Sequence, residues 1–460
     1  MKKHIPIISV IVFAFIFNLY KLSIGFNFDY DQQVPAIAAY DFFINHKISL
    51  IGQELSFQGF FLGPLHNIIQ FIPYGICNLK PDCVPYFFAF TGLITIAALY
   101  YVINKIFDRK TAVIASSIYA FSFQTVSYEM GVNSNYFLFL SSLGLLFCLY
   151  KYLKNNDKYS IIGAFITGLA TVNFNPLFLF SGIAYALALI TRKNRKLLVF
   201  ALAAFAFLIN YLPLAIFNFR HQNLLIQGLE SFSKQNSGSM NYLHRLFFAV
   251  AYVQIPFLTN YLFQHTNIIY LLLTVALIAS SVLFSFRHKD KSISNKLTHF
   301  LFIWIAVVPL GLAFYKGHIP DYYYEQSILP FIIIISLALR KSPILFLFFI
   351  PIFLTVNIIS ASNFNTSYNY KLKKDVVNFI IGDAGDKPFN VYYDMPPGLN
   401  SGYGYLFKVS GKEPQEGAPR LYLLEFQNPW KFHSGKYYSS FPKKMVNINV
   451  IGFVHIISVK

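Results

Sequence analysis

Stretches of about 20 apolar residues recur through the first 360 residues, separated by short loops in which Lys and Arg gather. A helix of that length crosses about 30 Å of hydrocarbon and satisfies its own backbone polar groups without water. Composition agrees: 56% of the chain is apolar and only 12% charged, against about 25% charged in soluble proteins. The chain is an integral membrane protein. The first stretch, Ile5 to Gly25, follows Lys2 and Lys3 but has no small-residue cleavage site, so it reads as an uncleaved span.

The basic groups fall at Lys2/Lys3, Lys105/Arg109/Lys110, Lys151/Lys154/Lys158, Arg192/Lys193/Arg195/Lys196, Arg287/Lys289/Lys291/Lys296 and Arg340/Lys341. Such small groups between apolar spans are the positive-inside pattern, so the net charge of +18 is no nucleic-acid stripe, and nucleic acid is rejected as a partner. If every group is cytoplasmic, an even number of crossings separates neighbours. The expected spans are about 5–25, 84–104, 111–127, 135–152, 160–172, 175–191, 197–217, 268–286, 297–315, 323–340 and 342–360, with the N-terminus cytoplasmic and the C-terminus outside the plasma membrane. Parity then excludes Phe60 to Cys77 and Phe247 to Phe263 as crossings. The first is expected along the outer interface, the second as an interfacial or re-entrant element.

After Ser360 the composition becomes polar, and a small extracytoplasmic α/β domain is expected over 361–460, following a transmembrane domain over 1–360. A helix is expected near 371–380, and strands at Phe389–Tyr393, Tyr403–Val409, Leu421–Phe426 and Val446–Val459. Cys77 and Cys83 flank one short loop; unpaired structural thiols are favoured, with pairing open if that loop faces an oxidising compartment.

The acids are placed unevenly. Before residue 361 only Asp108, Asp157 and Asp290 fall in inner loops, and the other nine are outer. Polar residues gather where outer loops meet the membrane: Asp29, Asp31 and Gln32; Glu54; Glu129, Asn133 and Asn135; Arg220 and His221; His318 and Asp321. Ionisable groups at such depth are costly unless they share an aqueous cavity, which is the expectation here. No phosphate loop, dinucleotide fingerprint, His-Glu-x-x-His or Cys-x-x-Cys pair occurs. That speaks against an ATP-driven pump, and spans nearly free of charge speak against an ion-coupled transporter.

Several local patterns resemble GT-C glycosyltransferases that use polyprenyl-phosphate sugars, in the bacterial branch related to family 39 protein mannosyltransferases and lipid A aminoarabinose transferases. They are Asp31-Gln32 after the first span, Leu50-Ile51-Gly52-Gln53 before Gly59-Phe60-Phe61-Leu62-Gly63-Pro64-Leu65, and Phe107-Asp108-Arg109-Lys110-Thr111-Ala112. Glu129 to Asn135, Leu212 to His221 and His318 to Pro330 complete the set, in the family's order. Two departures stand out. Leu62-Gly63-Pro64 replaces a Glu-Lys-Pro whose lysine is thought to hold the donor phosphate, and Asn133 stands where many relatives have Asp.

The resemblance implies an α-helical polytopic GT-C fold of about eleven spans and an inverting sugar transfer at the outer face. Donor is a polyprenyl-phosphate sugar, acceptor a hydroxyl of a glycan, lipid or protein, and the bilayer the third partner. Asp31 is assigned as general base. Asp29 is the second candidate, with holding Gln32, the acceptor or a divalent cation (Mg or Mn) as other roles. Arg220 and His221 are candidates for the leaving phosphate, Asn133, Asn135 and His318 for sugar hydroxyls, and Glu54 for the acceptor. Tyr322, Tyr323 and Tyr324 read as interfacial anchors. A lipid-linked glycan flippase and an O-antigen-type polymerase are the competing readings.

Overall fold

The computed structural model describes residues 5–55, 59–191, 197–235, 241–287, 292–364, 369–396, 398–426 and 447–459. Lys2, Lys3, Arg192, Lys193, Arg195, Lys196, Lys289, Asp290 and Lys291 lie outside them.

Helix α1 (Ile5–Gly25) leads into α2 (Tyr30–Asn45) and α3 (Leu65–Ile76), which pack on each other. Helix α4 (Val84–Ile106) is followed by α5 (Arg109–Phe121) and α6 (Phe123–Gly131), then α7 (Leu138–Leu153), α8 (Lys158–Asn173), α9 (Leu179–Ile190) and α10 (Leu197–Leu208). The expected span at 111–127 is thus broken at Ser122. Asn357 from a distant helix accepts the freed Phe123 N–H at 2.7 Å and Ser122 Oγ donates to Tyr261 O at 2.8 Å, which is how a break is tolerated away from water.

Helices α11 (Leu212–Arg220), α12 (Leu224–Gln235), α13 (Tyr242–Phe248) and α14 (Ile255–Phe263) precede the long α15 (Ile268–Arg287) and α16 (Ile293–Leu312). Helix α17 (Ile328–Lys341) runs through the centre, with Phe331 to Ile335 all buried, and α18 (Pro343–Asn363) completes the bundle. At the periphery Leu197, Leu198, Phe205, Ile344 and Leu347 are exposed. Apolar side chains in that position face lipid.

Among the described residues seven helices are long and apolar enough to cross a membrane. Contacts sort the loops into two faces. On one, Asp108 caps α5 and pairs with Arg340 at 2.7 Å, while Lys341 Nζ donates to Phe284 O. On the other, Tyr370 N donates to Phe26 O at 2.8 Å and Asn27 pairs with Asn369. An even number of crossings must therefore separate Phe26 from Tyr370. Tyr242–Phe263, continuous through a π-helical stretch at Ala249–Gln254, is long enough to cross. It does not reach the far face: Arg245 bonds the carbonyls of Tyr315 and Gly317 just beyond α16, and Leu262 O accepts from Asn357 near the end of α18.

Beyond the bundle lie α19 (Tyr370–Ala384), β1 (Phe389–Asp394), α20 (Tyr403–Val409), β2 (Arg420–Phe426), β3 (Asn447–Ile451) and β4 (Val454–Val459). The sheet order is β1-β2-β4-β3, with β1 and β2 parallel and the other pairs antiparallel. Two expectations are corrected. Tyr403–Val409 is helical: Tyr403, Tyr405, Leu406 and Phe407 are buried, and the adjacent burial of Leu406 and Phe407 breaks the alternation a strand would show. The long strand near 446–459 is a hairpin turning at Gly452 (φ +56°), with residue 446 outside the described residues.

Candidate functional site

The chain leaves α1 through Phe26 and Phe28, both buried, and enters α2 at Asp29, whose backbone N–H donates to Gln32 Oε1 at 2.8 Å. Gln32 Nε2 donates to Gly131 O, tying this turn to the end of α6. Asp31 follows in the same turn with its carboxylate turned the other way. Gln53 Nε2 donates to Asp31 Oδ1 at 2.5 Å.

Gln53 is placed by a short pair of extended segments. Gly52 N donates to Leu62 O at 2.7 Å, Leu62 N to Gln53 O at 2.9 Å and Leu55 N to Phe60 O at 2.8 Å. The two segments approach so closely that a Cβ on Gly52 would stand 2.4 Å from Gly63 O. Glycine is required there by contact alone. Glu54, next in line, accepts from Gly59 N at 2.8 Å.

Asp31, Gln53 and Glu54 form one wall of a cavity of about 830 Å³. The facing wall carries Tyr128, Asn133, Asn135, Asn175, Asp321 and Glu325, and aromatic side chains including Phe60, Phe174, Phe180 and Phe232 close the sides. The Glu325 carboxyl is buried beside Tyr128 and Asn135, and Asn175 Nδ2 donates to Asn135 Oδ1 at 3.2 Å. Asn133 Oδ1 is buried without a protein partner.

Burial raises the Asp31 carboxyl above its ordinary range, the neighbouring Asp29 charge adds to this, and the Gln53 hydrogen bond opposes it. A carboxylate so placed is a stronger proton acceptor than a solvated one. Among the described lining residues there is no Lys or Arg. Arg245 stands just behind, its guanidinium donating to Tyr315 O at 2.5 Å, and Tyr315 is part of the wall.

Of the residues singled out in the sequence, Asp31, Glu54, Asn133, Asn135 and Asp321 line this cavity, with Tyr322 and Tyr323 beside them. The structure does not bring the others to it. Asp29 is turned out of the cavity and accepts from Lys373 Nζ at 2.6 Å, because it is the helix cap while Asp31 lies two residues on, inside the first turn of α2, where the helical rotation aims it elsewhere. Gln32 is buried in the cap. Arg220 is exposed, and His221 stacks on Phe217 at 4.0 Å with Nδ1 against Phe217 O. His318 is exposed outside the lining. Of the three tyrosines, Tyr322 and Tyr323 line the cavity, whereas Tyr324 is buried and donates to Ala249 O at 2.8 Å. Gln53 closes the Leu50–Gln53 pattern and Glu325 lies within His318 to Pro330, but neither pattern marks it as a site residue, and Tyr128 stands just outside Glu129 to Asn135.

No three His, Cys, Asp or Glu side chains among the described residues gather as a metal site. Cys77 and Cys83, expected as free thiols, are joined in a disulfide at the end of α3.

Residues 64–217 match the family model of the dolichyl-phosphate-mannose-protein mannosyltransferases. That stretch includes Asn133 and Asn135 but not Asp31. Among solved structures, the chain is similar to ArnT from Cupriavidus metallidurans bound to undecaprenyl phosphate, at 10% identity and a TM-score of 0.64, covering 98% of this chain and 97% of that one. It is also similar to the Archaeoglobus fulgidus oligosaccharyltransferase tethered with an acceptor peptide, at 15% identity and a TM-score of 0.53, covering 91% and 69%. No curated protein matches. The chain is thus a multi-pass membrane protein with a fold like that of ArnT, within which residues 64–217 match the family model of the dolichyl-phosphate-mannose-protein mannosyltransferases.

Proposed function

We propose that the protein is a glycosyltransferase that moves a sugar from a polyprenyl-phosphate donor to an acceptor hydroxyl at the face bearing the disulfide. The observation that carries this is the Asp31 carboxylate, oriented by Gln53 and opening into a cavity at the membrane boundary with Glu325, Asn135 and Tyr128 opposite. The fold match supports it, since the ArnT structure holds undecaprenyl phosphate, as does the family match to enzymes that use dolichyl-phosphate-mannose.

The acceptor oxygen attacks the anomeric carbon as its proton passes to Asp31, and the bond from that carbon to the phosphate oxygen breaks with inversion. Polyprenyl phosphate leaves. Sugar hydroxyls donate to the open acceptor Asn133 Oδ1 and meet the Asn135, Tyr128 and Glu325 set. The phosphate has no Lys or Arg in the described lining, so Arg245 behind Tyr315 is its source of positive charge in this reading. Lipid enters between the aromatic side chains.

The face carrying Asp31 is read as extracytoplasmic. Arg340 and Lys341, with Asp108 beside Arg340, sit opposite, and Tyr370 Oη donates to Asp82 beside the Cys77–Cys83 disulfide, so that bond lies on the face of Tyr370. In this reading the chain divides near residue 360 into a transmembrane unit, residues 1–360, and an outer α/β unit, residues 361–460.

The test is release of polyprenyl phosphate by purified protein given a panel of undecaprenyl-phosphate hexoses and pentoses with hydroxyl acceptors. Release from at least one, abolished in Asp31→Asn, is expected. Release that Asp31→Asn leaves intact would refute the base.

A further inference from the structure

Lys373 stands on α19, outside the bundle, yet its side chain has no exposed surface. Its ammonium donates to Asp29 Oδ1 at 2.6 Å, Ser401 O at 2.8 Å and Phe28 O at 2.9 Å. All three of its donors are thereby used. The Tyr403 ring lies 5.4 Å away on a further side. Two acceptors belong to the segment that opens α2 and one to the loop before α20, so this single side chain joins the outer unit to the cap of the helix that bears Asp31.

The same segment is gripped twice more. Gly402 N donates to Gln33 Oε1, and Gly402, at φ +90°, comes so near that a Cβ would stand 2.4 Å from Phe28 O. Tyr370 N donates to Phe26 O. Among the described residues Lys373 is the one cation paired with the Asp29 carboxylate, which otherwise serves the capping box at the start of α2, whereas Gln32 and Asp31 are held from the bundle side by Gly131 and Gln53. The first turn of α2 is therefore pinned between two units.

A buried ion pair is a poor device for stability alone, because desolvation consumes most of the Coulomb gain; its best-attested use is to fix one geometry. We infer that Lys373 is a positioning residue of the site: through Asp29 it fixes the cap of α2 and hence where the Asp31 carboxylate points. The inference rests on the reading of Asp31 as base. It makes the outer unit a working part of the site rather than an appendage, since a displacement of about 1 Å at a reacting group costs roughly a hundredfold in rate.

The experiment compares Lys373→Met, Lys373→Arg and Asp29→Asn in the full chain. Hydrogen exchange over residues 27–36 reads the cap without any ligand, and kcat and KM are measured with whichever undecaprenyl-phosphate sugar is turned over. Lys373→Met is expected to exchange at least tenfold faster there and to lose at least tenfold in kcat with KM within threefold, while exchange over α17 stays unchanged. Lys373→Arg is expected to recover both.

Wild-type exchange and kcat in Lys373→Met overturn the inference, as does an Arg variant no better than Met. If Lys373→Met does not accumulate, Asp29→Asn decides: it keeps a capping side chain but loses the charge, and wild-type behaviour there overturns the inference equally. The two readings fail separately. An active Asp31→Asn removes the base and leaves the exchange arm to judge the clamp; an inactive Asp31→Asn beside an unaffected Lys373→Met removes only the clamp.

Discussion

Replacing Gln53 by Leu removes the one side-chain hydrogen bond that favours the charged form of Asp31. A hydrogen bond to a charged group contributes about 1.5–3 kcal/mol. Asp31 is only part-buried and water recovers some of the loss, so about 1.5 kcal/mol is retained, roughly a tenfold change in the ratio of neutral to ionised carboxyl. The sign is fixed by the structure. Burial and Asp29 already hold Asp31 above the ordinary range, Gln53 pulls it down, and its removal lets the carboxyl rise further. The assay is carbodiimide modification across pH with peptide mass spectrometry, since the neutral carboxyl is the reactive form. The modification midpoint of Asp31 in Gln53→Leu is expected at higher pH than in the wild type, with the exposed Asp321 unchanged. In turnover, activity that requires ionised Asp31 is lost as pH falls, and that limb moves up with it. A midpoint that stays put or falls refutes the reasoning.

Further outcomes follow from other contacts. Glu325→Gln keeps the shape of the cavity wall but removes the buried acid beside Asn135 and Tyr128; kcat is expected to fall at least tenfold at unchanged melting temperature. Gly52→Ala must push against backbone rather than a flexible side chain, which costs about 2 kcal/mol and is read as a lowered melting temperature together with impaired turnover, because Gln53 moves with it. Cys77→Ser with Cys83→Ser opens a short loop, a loss of about 2 kcal/mol; since Asp82 in that loop holds Lys374 at 2.7 Å, proteolysis of the outer unit is expected to quicken.

Much of the membrane architecture was legible in the sequence because charge and hydropathy act over long stretches. Parity of the basic clusters kept Tyr242–Phe263 from being read as a crossing, and the contacts of Arg245 and Asn357 agree with that. The break at Ser122 was not legible, for it depends on Asn357, more than two hundred residues away. Strand and helix were confused at Tyr403–Val409, where a short apolar run fits both periods and the buried face decides. At the site, Asp31 was separable from Asp29 only once the cap was formed: two carboxylates in one turn face opposite ways, and their partners, Gln53 and Lys373, come from distant segments. Arg220 and His221 looked suited to phosphate by chemistry, but α11 ends with His221 folded back on Phe217.

The most direct test is single-turnover transfer by Asp31→Asn, with folding verified by melting temperature and by unchanged hydrogen exchange over α17. A general base contributes about 10²–10⁴ in rate. A loss of that size, with donor KM nearly unchanged, is the expected result; transfer within threefold of the wild type would contradict Asp31 as the base.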